Sequence, residues 1–349
     1  MRGHGRRGLL AFALALTTVA AGAAACSSGG DPAAGRSPSA GGPASAPAPP
    51  ARPLVTLAEA AGALKDILSA DGILGSAVPR LPADRNHLLR QAADGHLALT
   101  QAALRSSEIM REDPPRYTWG EPRLLVPRLE QGPGWFAAVV DRREEGGESR
   151  PVMLTVTRQG EDDWRISSLS LLDSAIPGIA QDAEGYATAL GGDDPGVQIS
   201  PRLMAPLHAT TAEEGSAGFA AGLIAEGPHT TAHATEITAT RAEEKDSCLG
   251  YGSIFAAAGY PVHALRTSDG GALIAYSLIR TTTWTAKVYP CAELIAKLPE
   301  QERLPDSSPL KEVRTVETQQ YVSTVPPKTS RELARVIGYA GGITKVTSS

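Results

Sequence analysis

The chain has 349 residues, with 33 Lys and Arg against 38 Asp and Glu and a formal net charge of −5. An acidic balance of this kind argues against nucleic acid as a partner, and it gives no long-range attraction to anionic surfaces. About 296 residues remain beyond residue 53, which suits two ordinary domains better than one.

The first residues read as a targeting segment. Arg2, Arg6 and Arg7 form a basic start, and Leu9 to Ala21 is uncharged and rich in Leu and Ala. A helix over that run rises only about 20 Å, short of the roughly 30 Å hydrocarbon layer, so cleavage is expected rather than a permanent span. Residues 1–25 are therefore expected to be a signal peptide. The run ends in Ala23-Ala24-Ala25-Cys26, and small residues before a cysteine resemble the lipobox of bacterial lipoproteins. That resemblance implies a diacylglyceryl group on the Cys26 thiol, cleavage before Cys26, and anchoring to the extracytoplasmic face of the cell membrane. The lipid bilayer is then the first expected partner. Two acyl chains, at about 0.8 kcal/mol per buried methylene, hold more durably than one. Residues 26–53, almost wholly Ala, Gly, Pro and Ser, have no apolar periodicity and are expected to be a disordered tether.

Residues 54–190 are expected to form a first α+β domain. Leu57, Ala60, Leu64, Ile67 and Leu68 repeat at helical spacing until Asp71-Gly72. Leu88 to Leu104 then predicts one longer helix, ended by Arg111-Glu112-Asp113-Pro114. The period changes next. Arg123–Leu129, Trp135–Arg142, Val152–Arg158 and Trp164–Leu172 read as strands separated by glycine-bearing turns, an antiparallel meander. Asp162 and Asp163 are read as turn formers beside Trp164 rather than as a catalytic pair.

A Gly191-Gly192-Asp193-Asp194-Pro195-Gly196 string separates this unit from a second, expected over 197–349 with the same order of helices before strands. Tyr260–Arg280, with Ser268-Asp269-Gly270-Gly271 as its turn, matches the pattern of Tyr117–Arg143, and Val313–Val322 is set against Trp164–Leu172. Thr230–Thr240 reads equally as helix or strand. The fold class is α+β: two domains, each with helices packed on a curved antiparallel sheet, by analogy nuclear-transport-factor-like or cystatin-like.

The lipobox, the tether, Trp119-Gly120-Glu121-Pro122 and Ala264 to Leu273 together resemble a group of uncharacterised actinobacterial cell-envelope lipoproteins. The likeness covers nearly the whole chain and implies no activity. With Cys26 given to lipid, Cys248 and Cys291 remain, and an even pair in an oxidising compartment is expected to form a disulfide.

Catalytic signatures are scarce. Gly250-Tyr251-Gly252-Ser253-Ile254 is not a nucleophile elbow and is read as a glycine-rich bend; Ser308-Pro309-Leu310-Lys311 matches S-x-x-K without its companion elements. His229 and His233 could share a helix face and offer two imidazoles to zinc, but no third ligand is in view. No cofactor is expected. Trp135, Trp164 and Trp284 are expected to pack in cores or to line a pocket in a hollow cone. The reading is a non-enzymatic, membrane-anchored lipoprotein that binds an envelope protein or aids an assembly; small-molecule or lipid binding in a cone is the alternative, and a transporter solute-binding protein fits less well.

Overall fold

The computed structural model describes residues 53–69, 82–110, 117–144, 146–160, 163–288 and 311–349. The expected signal peptide, Cys26, the tether up to residue 52, Asp162, Cys291 and Ser308 lie outside them.

Helix α1 (Leu57–Leu68) begins where the sequence places it. Thr56 caps it: its hydroxyl accepts from the Glu59 amide at 3.1 Å while the Glu59 carboxylate reaches back to the Thr56 amide. Ala60, Leu64 and Ile67 face inward. The single helix expected over 88–104 is instead two, α2 (Pro82–Arg90) and α3 (Asp94–Met110). The break has a tertiary cause. Ala93 N donates to Ile166 O and Ile166 N to Gln91 O, both at 2.8 Å, so three residues leave the helix to pair with a strand. Asp94 takes a left-handed φ of 49° there, and its carboxylate accepts from the Ser167 hydroxyl at 2.6 Å.

The first run of strands is β1 (Tyr117–Trp119), β2 (Arg123–Leu125), β3 (Trp135–Glu144), β4 (Ser149–Arg158) and β5 (Trp164–Leu172). After α4 (Pro201–Glu214) and α5 (Thr231–Glu243), which resolves the open reading of 230–240 as helix, come β6 (Leu249–Ala257), β7 (His263–Arg266), β8 (Ala272–Ala286), β9 (Glu312–Val325) and β10 (Arg335–Ser348). The expected glycine-rich bend at 250–254 is thus strand β6. Gly250 and Gly252 sit inside it, paired with Thr285 and Thr283.

Among the described residues all ten strands belong to one antiparallel sheet, ordered β1-β3-β4-β5-β10-β9-β8-β6, with β2 also on β3 and β7 also on β8. The two halves repeat one another in topology. β3-β4-β5 and β8-β9-β10 are equivalent meanders, and each first strand carries two separate partners along its outer edge, β1 and β2 on β3 and β6 and β7 on β8. Leu125 opposes Ala137 in one half as Leu265 opposes Leu273 in the other. The counterpart of β5 is therefore β10, not the Val313–Val322 strand, which occupies the place of β4. The last strands of the halves join directly: Leu172 opposes Gly338, and Leu171 opposes Tyr339.

The connector between the halves closes the sheet on itself. Ala187 N donates to Val126 O (2.8 Å) and Arg128 N to Ala187 O (3.0 Å); on the other side Arg266 N donates to Thr188 O (2.8 Å) and Leu190 N to Ala264 O (3.0 Å). A ring of hydrogen-bonded segments results, running from β2 through the two meanders to β7 and back through residues 187–190. Its inside is filled by side chains of both halves, among them Leu125, Trp135, Met153, Leu265, Leu273 and Val322. Strand alternation places the opposite faces outside, where α1 covers Phe136, Val140 and Leu154 and α4 and α5 cover Ile274, Tyr276 and Leu278. The expected units 54–190 and 197–349 share this sheet, and Ala51–Ser349 forms one compact unit.

Candidate functional site

Buried polar groups concentrate beneath α4 and α5. Tyr276 of β8, Tyr321 of β9 and Tyr339 of β10 stand opposite one another in strand register, a ladder of three phenol rings. Their centroids lie 5.8 and 5.2 Å apart. His208 of α4 drops onto this ladder, 4.5 Å from the Tyr321 ring centroid, and is fully buried.

The hydrogen bonds of His208 fix its tautomer. Nε2 lies 2.7 Å from the carbonyl of His229, which can only accept, so Nε2 carries the proton. Nδ1 then accepts from the Tyr276 hydroxyl at 2.8 Å, and the Tyr276 oxygen accepts from Ser323 at 2.8 Å. Burial holds His208 neutral, lowering its pKa to about 3, and raises that of Tyr276. Ser323, at the far end of this chain of hydroxyls and imidazole, is itself fully buried.

His229 lies at the outer end of the cluster. Its ring stacks on Tyr339 at 4.6 Å, and Nε2 donates to the Asp173 carboxylate at 3.0 Å. A cleft of about 180 Å³ opens beside it, lined by Ser174, Glu226, Thr230 and Arg335 among others. An imidazole oriented by a carboxylate is half of an acid–base arrangement. Of the hydroxyls in the cleft lining, that of Thr230 donates to the Ala225 carbonyl at 3.0 Å.

His229 and His233 do not share a face. His229 precedes α5, whereas His233 packs on Phe255 at 5.2 Å and lies 3.9 Å from the Glu236 carboxylate. No group of three or more His, Cys, Asp or Glu side chains that could hold a metal occurs among the described residues. Glu236 instead serves Arg280, whose buried guanidinium also bonds the Ser253 and Tyr251 hydroxyls at 2.9 and 3.2 Å.

The three tryptophans go to three places. Trp135 lies inside the ring of strands, 4.5 Å from the His263 ring; Trp164 packs on Phe136 under Arg158; Trp284 packs on Tyr251 near Cys248. His263 Nε2 has no hydrogen-bond partner although the ring is buried, and burial lowers its pKa to about 4. None of the three lines the cleft beside His229. His208 and the tyrosine ladder escaped the sequence reading because their partners come from four separate elements; a tyrosine on each of three strands, on the face that the helices cover, was the available signal.

Residues 51–348 match the model of a family described as a domain of unknown function, DUF8094. The chain belongs to this family. It is also similar to two uncharacterised lipoproteins of Streptomyces coelicolor. One is 28% identical over 44% of this chain and 46% of the relative, the other 29% identical over 48% of each. The chain spans about half the length of these curated relatives. Both names agree with the likeness to uncharacterised actinobacterial lipoproteins carried by the sequence. No solved structure matches, and the nuclear-transport-factor-like and cystatin-like analogies gain no support. Among the described residues no helix is long and apolar enough to cross a membrane.

Proposed function

We propose that this protein is a lipoprotein anchored through Cys26 to the extracytoplasmic face of the cell membrane, and that it works by binding another envelope protein rather than by catalysis. The relatives' names and the Ala23-Ala24-Ala25-Cys26 sequence support the anchor. The observation that carries the binding role is the state of the interior. The strand ring is packed with side chains, and the histidine–tyrosine cluster spends its hydrogen bonds on its own backbone and hydroxyls. What is left to act is the outer surface. Cross-linking in living cells tests this, with Cys26→Ala as the control for contacts that the anchor alone brings. A recurrent protein adduct is the expected result; adducts to bulk lipid alone would overturn it.

A second reading, small-molecule binding, is favoured by one observation: the unpaired Nε2 of His263 beside Trp135. A buried polar atom without a partner costs free energy that a ligand group could recover. Native mass spectrometry of the purified protein, showing a bound small molecule lost in His263→Phe, would favour it over protein binding.

A further inference from the structure

Strand β6 ends the sheet among the described residues: it pairs β8 on one side, and no further strand lies on the other. The ladder fixes which of its backbone groups look outward. Lys287 N donates to Cys248 O at 2.9 Å and Ala258 N to Ser277 O at 3.0 Å, so in the register of this pair the even-numbered residues of β6 bond β8. The odd ones, Tyr251, Ser253, Phe255 and Ala257, turn their amides and carbonyls to the open edge. One outward amide is already engaged. Phe255 N donates to the Glu213 carboxylate of α4 at 3.0 Å, so a side-chain oxygen stands where the carbonyl of a further strand would.

Helix α4 runs beside this edge and leaves a cleft of about 300 Å³, lined by Ala209, Thr210, Glu213 and Glu214 of the helix and by Phe255 and Ala257 of the strand among others. An open strand edge facing a helix across a cleft suits an extended peptide that adds as one more strand. Main-chain hydrogen bonds then hold the peptide, and its alternate side chains are read by the two faces of the sheet.

Those two faces differ. On the face of Phe255 an added strand meets α4, where Glu213 and Glu214 are the charged groups of the cleft. The cations of neighbouring elements are engaged elsewhere. Arg202 pairs with Asp193 at 2.6 Å, and Arg280, 5.5 Å from the Phe255 ring centroid, pairs with Glu236 at 2.8 Å. His233 beside Phe255 is kept neutral by burial, and the β6–β7 connection, Ala258 to Val262, carries no charge. On the opposite face Ile254 is 56% exposed and offers an apolar neighbour. A fitting segment therefore carries Lys or Arg towards α4 and aliphatic side chains towards Ile254. A second copy of this chain does not fit, because pairing two β6 edges would bring Glu213 and Glu214 of both chains together.

We infer that the edge of β6 beside α4 is a strand-addition site for an extended, basic segment of another envelope protein, whose carbonyl displaces Glu213 from the Phe255 amide and frees that carboxylate to pair with a Lys or Arg. This rests on the protein-binding reading above and gives it a location and a partner chemistry.

The test uses the full-length protein in detergent and a peptide as long as β6 that alternates valine and lysine, with binding read by fluorescence anisotropy and by hydrogen exchange. Saturable binding below about 1 mM is expected, with slower exchange at the Phe255 and Ala257 amides. Replacing every lysine of the peptide by glutamate, or methylating every backbone nitrogen, should weaken binding by about tenfold or more. Ala257→Pro removes an outward amide without touching the β8 ladder, and Thr210→Trp fills the cleft from the helix side; each should weaken binding as much, at an unchanged unfolding midpoint. No binding, a methylated peptide that binds as well as its parent, full binding in both variants, or binding without slower exchange at Phe255 and Ala257 overturns the inference. So does an Ala257 amide already protected without peptide, which assigns the edge to the chain's own residues in a monomer and to a second copy in a dimer. The in-cell cross-link reads independently: a protein adduct undiminished by Ala257→Pro strikes the β6 edge and leaves protein binding intact, whereas absence of both peptide binding and adduct strikes both.

Discussion

The side chain of Gln320 on β9 reaches the backbone of β5: its Oε1 accepts from Leu169 N at 3.0 Å, and its Nε2 donates to Ser167 O at 3.1 Å. One buried amide thus satisfies two backbone groups of the other half, at the place where β10 pairs β5 only at Gly338 and Tyr339. Replacing it with Leu leaves both groups buried and unpaired. Gln320→Leu should therefore destabilise by about 2–4 kcal/mol, the cost of two orphaned backbone groups, read as a lower urea midpoint at unchanged slope. A cost near zero would mean that water replaces the amide.

His208 gives the fold a pH dependence with a definite sign. Its folded pKa is lowered to about 3 from an ordinary 6.5, chiefly by burial, so below pH 6.5 the unfolded chain binds a proton that the folded one refuses. The stabilisation is complete above pH 6.5 and is lost progressively as pH falls towards 3. His96, His233 and His263, each lowered to about 4, add in the same direction. The unfolding midpoint should drop steadily between pH 6.5 and 4. In His208→Gln, whose amide can donate to the His229 carbonyl without titrating, the slope over that interval should be shallower; an identical slope would show that His208 is solvated.

How much of this was legible beforehand depends on the range of the forces involved. Helix α1 was readable because its cap and its buried Ala60, Leu64 and Ile67 are local. The β3-β4-β5 meander was readable for the same reason. The break between α2 and α3 was not, because it follows from the pairing of Gln91 and Ala93 with Ile166, far along the chain. Strand β6 was hidden by Gly250 and Gly252, and β10 by Gly338, Gly341 and Gly342: glycine lowers strand propensity, and only pairing with neighbours overrides it. Closure through residues 187–190 leaves no periodic trace at all. The candidate site suffered likewise, since His208 acquires its meaning from Tyr276, Tyr321 and Ser323 on strands many residues away.

Arg280 is the other buried polar centre open to a direct test. Its side chain is 8% exposed and bonds Glu236, Ser253 and Tyr251 together. Arg280→Met fills the space but removes the ion pairs to Glu236 and Glu317, leaving Ser253 to its Thr282 contact and Glu317 to its bond from Gln319. A loss of about 2–4 kcal/mol is expected, below the full range for a broken buried pair because Glu236 is half exposed. Arg280→Lys should recover little of it, since an ammonium cannot serve three partners in a fixed fork. Full recovery by Lys would show that charge alone matters at this position.

The seam between the halves depends on a glycine for reasons of space rather than of backbone angle. A Cβ on Gly338 would lie 2.8 Å from Leu172 Cδ2, 3.1 Å from Leu171 O and 3.4 Å from Val322 Cβ. Leu172 can swing aside, but the Leu171 carbonyl belongs to the strand that β10 must pair with, so the strands have to separate. Gly338→Ala should cost about 1–3 kcal/mol, as overpacking does elsewhere. The effect should also be local. Hydrogen exchange should quicken at the Asp173 amide, which donates to Ile337 O at 2.8 Å, while amides in the β3-β4 ladder stay protected. Uniform acceleration across both meanders would instead mean that the halves unfold as one unit from the seam outward, and that the internal repeat no longer carries any independence in folding.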